Sequence, residues 1–457
     1  MKQLSTIQIE GLPGPTHHFG GWANGNVASM MNQSSISHPK RAALECLNKA
    51  KLILDLGCDV FIAGPHLRPY PPYLNILGDQ LNDPLLISFL SNSAFMWTAN
   101  MAHATINSDH ITHVTVANMS HTPHRIMESK FNQNYLELLF QDCKHVKVHP
   151  PCPSPFGDEG AANHAFIHDN YSGLDLFVYG KKKASIGQFQ KFPRRQDRIA
   201  SESIARCHQV QFPLFCEQNQ DAIDQGVFHN DVSFLSENNT VVCHEYTFEN
   251  TNSIQIIQDE FFKRTQKELQ TFLIHQTQLS LKELVQSYIC NGQLIPTPQS
   301  YLNSIQNEHL SLKTHQKKHD ATLSKLRKKK NSLIWILSED YQSVRSAKQI
   351  VNEIINANIG IESIITVPLS ESMKNGGGPA CCRLRIPIQE SEIDQLHRGL
   401  RLTQKKYNQL KNWIEAQYPE TLNVSELMDT NFQTKSRRIV AAFYEITNTT
   451  KLLDLMF

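Results

Sequence analysis

Three consecutive glycines lead into two cysteines and an alternating apolar run towards the end of the chain. The stretch reads Asn375-Gly376-Gly377-Gly378-Pro379-Ala380-Cys381-Cys382-Arg383-Leu384-Arg385-Ile386-Pro387-Ile388. Glycine accepts backbone angles that other residues avoid, so such a run is typical of a sharp turn or of a close approach to a ligand. Pro379 stiffens the exit, and the alternation after it predicts a strand. The stretch therefore places a thiol at the lip of a rigid turn, which suits either a nucleophile or a buried structural cysteine.

The composition is that of a globular protein. The chain has 457 residues, of which 40% are hydrophobic and 19% charged, and its formal net charge is +1. This near-neutral balance argues against a nucleic-acid partner. No apolar run reaches the roughly 18 residues that cross a membrane, and the first residues lack the pattern of a signal peptide. The ten cysteines show no zinc-finger or disulfide-framework spacing, so we expect a protein of the reducing cytoplasm without membrane partners.

Helix and strand patterns alternate along the whole chain. Helices are predicted at 39–56, at 129–140 and over most of 261–290, and strands at 111–118, 144–149, 332–337 and 361–369. Because no flexible linker interrupts this pattern, we expect one α/β or α+β domain over residues 1–457. The basic stretch at about 312–330 is expected to be a solvated helix or an insertion.

Polar loops between the predicted strands carry the groups of one chemical site. A histidine, acid or amide beside small residues recurs near residues 17, 124, 159, 229 and 375. Although the spacing is irregular, the recurrence suits several loops that face one centre. The loops supply the thiol of Cys381, the imidazole of His229 and the carboxylates of Glu159 and Asp231. These groups suit covalent attack on a planar carbon with proton transfer to the leaving group, and carboxylates bind a guanidinium in a bidentate manner. Residue types alone therefore predict a cysteine hydrolase of guanidino or amide substrates.

Nine short strings connect the chain with a known enzyme family. In chain order they are GLPGPTHHFGG, NGNVAS, MWTAN, VAN, HR, GDEGAANH, LFVYG, IDQGVFHNDV and NGGGPACCRLR. Together they resemble the N-succinylarginine dihydrolase family. The resemblance implies the pentein fold of the guanidino-group-modifying enzymes, a single α/β propeller of five ββαβ units around one site. It also implies a homodimer without metal or other cofactor. The implied reaction hydrolyses N-succinylarginine with two waters to N-succinylornithine, two ammonia and carbon dioxide.

The resemblance also assigns roles to residues, motif by motif. It makes Cys381 the nucleophile, His229 the general acid/base and Glu159 the charge partner. The residues that it implies for substrate binding are Gly20, Gly21, Trp22, Ala23, Asn24, Gly25, Asn26, Val27, Ala28, Ser29, Asn100, His124, Arg125, Arg195, Asp231 and Asn375. Cys382 stands where the family is expected to have an aliphatic residue, so which thiol attacks is open to test. Neighbours on a strand face opposite sides, and we expect Cys382 to point into the core.

Two other interpretations stay open. An arginine deiminase or a dimethylarginine hydrolase would use the same groups and stop after one hydrolysis. A non-catalytic binding protein could keep the same fold, although the complete set of Cys381, His229 and Glu159 argues against it. The additional arginines, such as Arg195, favour a substrate with more than one carboxylate, as in N-succinylarginine.

Overall fold

The computed structural model describes residues 4–77, 83–92, 96–107, 110–169, 172–180, 191–297 and 332–456. Fifteen strands in this part of the chain form five three-stranded sheets. They are β1 (Leu4–Gly11), β2 (Asp59–Ala63), β3 (Ala102–Ile106), β4 (Thr112–Val116), β5 (Val146–His149), β6 (His164–His168), β7 (Gly173–Tyr179), β8 (Pro213–Glu217), β9 (Phe234–Glu237), β10 (Thr240–His244), β11 (Gln270–Ile274), β12 (Gln293–Pro296), β13 (Leu333–Ser338), β14 (Ile361–Val367) and β15 (Arg383–Gln389). The basic stretch predicted at 312–330 lies outside the described residues.

The α-helices of the described residues are short to medium in length. They span Val27–Met31, Pro39–Asp55, Pro71–Leu77, Pro84–Ser91, Pro123–Ile126, Ser129–Leu139, Arg198–Cys207, Gln220–Asp224, Ser253–Thr265, Leu281–Ser287, Arg345–Asn356, Ser370–Lys374, Gln404–Gln417, Thr430–Ile446 and Lys451–Asp454. The longest have 17 residues. Across the ranges given above, no helix has the length and apolar character that a membrane crossing needs.

Each of the five sheets repeats one pattern of connections. Its middle strand pairs antiparallel with the first strand and parallel with the third. In the second sheet, for example, β3 and β4 form the antiparallel pair, helix Ser129–Leu139 follows, and β5 returns parallel to β4. A parallel return needs a crossover, which a helix supplies in each unit. The predicted α/β propeller of five ββαβ units is therefore confirmed.

The first and the last of these strands meet in one sheet and close the ring. β1 is the middle strand of the first sheet, and its antiparallel partner is β15, with Ile7 opposite Ile386. The first strands of the units contact one another from sheet to sheet, β15 with β3, β6 with β9 and β9 with β12. These inner strands surround the axis of the ring, and β15 brings the glycine-rich turn to one end of that axis.

One predicted element is wrong. Residues 261–290 were expected to be largely helical, but the helix that contains Phe261 ends at Thr265 and strand β11 follows. Gln266 ends the helix because its backbone is left-handed, with φ of 55°. A new helix starts at Leu281, where Ser280 and Glu283 form a capping box. The capping box could be predicted from the sequence. The short, half-buried strand before it could not, because the apolar residues there fit the period of a helix as well as that of a strand.

Candidate active site

Turns that precede the inner strands carry the polar residues predicted for the site. Short 3₁₀ turns lead into three of these strands, Thr98–Asn100 before β3, Gly160–Asn163 before β6 and Asn230–Val232 before β9. Asn291 and Cys381 each stand two residues before an inner strand, β12 and β15 respectively. Because the five units surround one axis, turns from all of them meet at the same end of it.

A pocket of about 420 Å³ lies among these turns and adjoining loops. The predicted site residues that line it are Trp22, Ala23, Asn26, Ser29, Asn100, His124, Arg125, Glu159, Arg195, His229 and Asn375. The structure thus brings together residues that are more than 340 positions apart in the sequence, as Ser29 and Asn375 show with their 2.9 Å hydrogen bond.

His229 and Glu159 form a buried pair on the wall of this pocket. His229 Nε2 lies 2.9 Å from Glu159 Oε2, and both side chains are almost fully excluded from solvent. Thr122 donates from its hydroxyl to the other carboxylate oxygen at 3.4 Å. The pair has the geometry of an imidazole oriented by a carboxylate, which fits a proton-transfer group.

The charges around this pair hold Glu159 ionised. Burial alone would raise the pKa of Glu159, but the hydrogen bond with His229 and the positive charges of Arg195 and Arg125 outweigh it and lower the pKa to about 2. Burial lowers the pKa of His229, an effect that Glu159 partly offsets. The Glu159 carboxylate therefore stabilises the protonated form of His229 in this buried site.

Two arginines border the pocket in different ways. The protein holds Arg125 on several sides, because Nη1 donates to Asn100 Oδ1 at 2.9 Å and Nε to Glu128 Oε2 at 3.1 Å. Arg195 donates from Nη2 to the carbonyl of Asn24 and stacks over the Phe228 ring at 4.8 Å. Its Nη1 is 3.9 Å from Glu159 Oε2. Arg195 therefore keeps more donor capacity for a ligand than Arg125 does.

The loop of residues 20–29 is fastened to the glycine-rich turn. Asn26 donates from Nδ2 to the carbonyl of Asn375 at 2.9 Å, and Gly376 adopts φ of +82° directly beside the Asn26 side chain. A Cβ at Gly376 would overlap that side chain, so only glycine fits there. The same Asn26 begins helix Val27–Met31 by accepting the Ser29 N–H. Gly376 is thus needed where the turn packs against the Asn26 side chain.

Cys381 is not among the lining residues of the pocket and contacts Asp231. Its Sγ donates to Asp231 Oδ2 at 3.7 Å, and only about 1% of the residue is exposed. Burial raises the pKa of the Cys381 thiol well above its usual range, and the Asp231 carboxylate raises it further. The Cys382 sulfur lies on the other side, 3.4 Å from Ser372 Oγ, within the core. Among the described residues, the sulfur of Cys381 thus forms its hydrogen bond with Asp231 and not with His229.

The remaining predicted residues support the pocket without lining it. Asn24 gives its carbonyl to Arg195, and Val27 and Ala28 begin the short helix that carries Ser29. The others outside the lining are Gly20, Gly21, Gly25, Asp231 and Cys381. The recurring loop near residue 17 does not reach the pocket, since His17 is buried beside Glu371 and Phe19.

His124 enters the pocket as a neutral group. Burial lowers its pKa to about 3, with help from the positive charges of Arg125 and Arg195. Its Nδ1 has no hydrogen-bond partner in the described structure. This imidazole can therefore offer one nitrogen to a ligand without adding charge to the site.

Sequence reasoning missed the residues that tie the turns together. Asn291 accepts through Oδ1 from the N–H groups of Gly378 (3.0 Å) and Cys381 (3.3 Å), and it donates to the Asp231 carbonyl at 3.3 Å. Gln196 accepts the N–H of Glu159 at 2.7 Å. An Asn-Gly pair stands directly before strand β12, as Asn291-Gly292. That signal, which resembles the other site loops, could have identified Asn291.

Comparison with known proteins decides the family. The model of the succinylarginine dihydrolase family matches residues 3–325 and 304–455. The chain belongs to this family. N-succinylarginine dihydrolases of Marinobacter nauticus and Acinetobacter baumannii are 33% and 31% identical to it, each over 94% of both chains. That of Legionella pneumophila is 32% identical over 93% of both chains. The family predicted from the nine strings is confirmed.

Among solved structures, the N-terminal domain of ArgZ aligns with this chain. It aligns with a TM-score of 0.48 at 13% sequence identity and covers 84% of this chain and 98% of that chain.

Proposed function

We propose that this chain is an N-succinylarginine dihydrolase. It converts N-succinylarginine and two waters into N-succinylornithine, two ammonia and carbon dioxide. The observation that carries the proposal is the buried His229–Glu159 pair at 2.9 Å in a pocket that Arg195 also borders. The His229–Glu159 pair can transfer protons next to the guanidinium of a substrate, and Arg195 can bind a substrate carboxylate. Membership of the family supports the same assignment.

In this proposal two carboxylates hold the guanidinium of the substrate. Glu159 is ionised, and Asp231 Oδ1 has no hydrogen-bond partner in the described structure. Both can therefore accept guanidinium N–H groups as charge-assisted hydrogen bonds. The succinyl and α-carboxylates extend towards Arg195, beside His124 and Asn375. The guanidinium carbon is then next to Cys381, the hydrogen-bond partner of Asp231.

Substrate binding makes the thiol reactive. Burial and the Asp231 charge raise the pKa of Cys381, which disfavours the thiolate in the empty site. A bound guanidinium cation compensates the Asp231 charge and favours the thiolate, which is the nucleophilic form. The nucleophile is therefore activated mainly when a cationic substrate is present.

The first hydrolysis proceeds through a covalent amidino-thioether. The Cys381 sulfur forms a bond to the guanidinium carbon, and the carbon–nitrogen bond to one terminal amino group breaks. His229 protonates the departing ammonia and then deprotonates a water, which attacks the same carbon. The thiolate leaves, and N-succinylcitrulline remains.

The second hydrolysis repeats the attack on the ureido carbon. Ammonia leaves again with a proton from His229, and a water cleaves the resulting thiocarbamate. The carbamic acid that forms breaks down to N-succinylornithine and carbon dioxide. The succinyl and α-carboxylates, bound near Arg195, hold the ureido compound in place between the two rounds.

Product stoichiometry tests the proposed reaction. We expect two ammonia per N-succinylarginine consumed, with N-succinylornithine as the final product by mass spectrometry. Added N-succinylcitrulline should be converted to the same product. Accumulation of N-succinylcitrulline with one ammonia per substrate would instead identify a deiminase and leave the nucleophile assignment standing. No reaction with any guanidino compound would favour the non-catalytic binding protein.

Replacing Arg195 by alanine is expected to weaken substrate binding more than chemistry. The KM for N-succinylarginine should rise at least about tenfold, because a charge-assisted contact to a carboxylate is lost, while kcat changes much less. Glu159 stays ionised through His229 and Arg125. Arg195→Lys should restore part of the affinity, since it keeps the charge without the planar fork.

The neighbouring Arg194 gives the matched control. It donates to Glu217 at 2.7 Å and to the Gly180 carbonyl at 2.8 Å, and it does not line the pocket. Arg194→Ala should leave KM unchanged. A loss of kcat at saturating substrate in Arg195→Ala, with KM unchanged, would show that Arg195 does not clamp a carboxylate.

We also propose that the whole chain acts as one catalytic domain, as a homodimer in the cytoplasm. The pairing of β15 with β1 supports one domain, because one sheet joins residues 4–11 with residues 383–389. All ten cysteines are free thiols, which fits a reducing compartment. Light scattering of the purified protein would measure its oligomeric state.

A further inference from the structure

A second cavity lies on the axis of the ring, behind the nucleophile. It has a volume of about 850 Å³ and shares no lining residue with the substrate pocket. Its wall includes Asp231 and Ala380 at the end near Cys381, and residues of the inner strands β6, β9 and β15 along its length. The two spaces are neighbours, since Asn230 and Asp231 line the axial cavity and His229 lines the pocket.

Two arginines of β15 border this axial cavity. Arg383 and Arg385 are two residues apart on one strand, so their side chains share a face. Arg385 forms an ion pair with Glu237. The side chain of Arg383 has no hydrogen bond or ion pair within the described part of the chain, and its Nε is buried without a partner. A partly buried guanidinium without a partner is costly unless a ligand or water satisfies it.

Three acidic groups near Arg383 bind other side chains. Glu10, which faces it across the strand pair, forms an ion pair with Lys49 at 2.8 Å. Asp175 accepts from His164 at 2.9 Å. Glu237 is taken by Arg385. None of these carboxylates lies within ion-pair distance of Arg383 in the described structure.

Arg383 is the titratable group of this wall that stays charged without an acidic partner in the described structure. Burial raises the pKa of Asp231 to about 7, which reduces its negative charge in the substrate-free protein. Burial lowers the pKa of His168 to about 4, which makes it neutral. Burial and the charge of Arg385 lower the pKa of Arg383 to about 10, and it therefore stays charged.

We propose that the axial cavity binds a small oxyanion, such as bicarbonate or phosphate, through the guanidinium of Arg383. A planar guanidinium presents parallel N–H donors that match two oxygens of such an anion. The anion accepts the hydrogen bonds of the Arg383 side chain, which has no acceptor in the described protein.

Calorimetric titration of the substrate-free protein tests this site. In chloride buffer at constant ionic strength, we expect saturable binding of bicarbonate or phosphate with one site per chain. Tighter bicarbonate binding would indicate a planar carbon oxyanion as the natural ligand, and tighter phosphate binding a tetrahedral one. Arg383→Gln and Arg383→Met should each weaken the binding at least about tenfold, because the charged donor pair is lost. Arg383→Met covers the case in which the Gln variant does not fold.

Two controls separate this site from other positive groups. Arg398→Gln removes an exposed arginine far from the cavity lining and should bind the anion like the unaltered protein. Arg195→Ala removes the cation of the substrate pocket and should also keep the anion binding. Loss of binding in Arg195→Ala with retention in Arg383→Gln would place the anion in the substrate pocket and overturn the proposal. Absence of saturable binding by either anion would overturn it as well.

Discussion

Cys381→Ser is expected to reduce turnover of N-succinylarginine to less than about a thousandth of that of the unaltered enzyme. The serine hydroxyl would occupy the same place beside Asp231, where the thiol now donates at 3.7 Å. A hydroxyl loses its proton far less readily than a thiol, and a bound guanidinium cannot compensate for that difference. Substrate affinity should change little, because the pocket lining and Arg195 are intact. Ammonia release and substrate binding by calorimetry measure the two effects separately.

Cys382→Ser is the matched control for this substitution. The Cys382 sulfur faces Ser372 at 3.4 Å in the core, away from Asp231. A serine there should lower stability modestly, because it buries a hydroxyl in place of a thiol, and should keep most of the turnover. Intact-protein mass spectrometry of quenched reactions should find the covalent adduct in Cys382→Ser but not in Cys381→Ser. Equal loss of activity in both variants would contradict the assignment of Cys381.

Elements with their own local signals could be predicted from the sequence. Helix Pro39–Asp55 and strand Leu333–Ser338 lie within one residue of their predicted ends. In the helix, proline marks the first turn and the apolar spacing marks the buried face. The ring closure by β15 and β1 could not be derived from such signals, because it joins residues some 380 positions apart. Only the family resemblance supplied it.

The candidate site also has residues that could be predicted from the sequence and contacts that could not. Residues beside Gly or Asn in polar loops, such as Glu159 and His229, were predicted and lie together in the pocket. The contact between Cys381 and Asp231 was not predicted, because it depends on how two turns pack at the end of the axis. Asn291, which spaces these turns, has a side chain of a type that is common in ordinary turns. Its three hydrogen bonds show that it joins the two loops.

Glu159→Gln is expected to lower kcat at least about a hundredfold, in line with the loss of a general acid–base partner and of a charge-stabilising group. Glutamine keeps the shape of the side chain and can still accept a hydrogen bond from His229. It removes the negative charge that raises the pKa of His229. Burial and the charges of Arg195 and Arg125, which lower that pKa, then act unopposed. The imidazolium that must protonate the departing ammonia then becomes scarcer at neutral pH. The substrate guanidinium also loses one of its two anionic partners, so KM should rise as well.

The pH profile gives this prediction its sharpest test, with Asp158→Asn as the control. With Glu159 the carboxylate stays ionised down to a pH of about 2, so its own titration should not appear between pH 5 and 9. In Glu159→Gln the pKa of His229 falls, and the activity that depends on imidazolium should move to lower pH. Asp158 is equally buried but contacts His103 at 2.6 Å and does not line the pocket. Its substitution should therefore lower thermal stability more than kcat. If Glu159→Gln has near-normal kcat and an unshifted profile, Glu159 does not take part in the proton transfers assigned to His229.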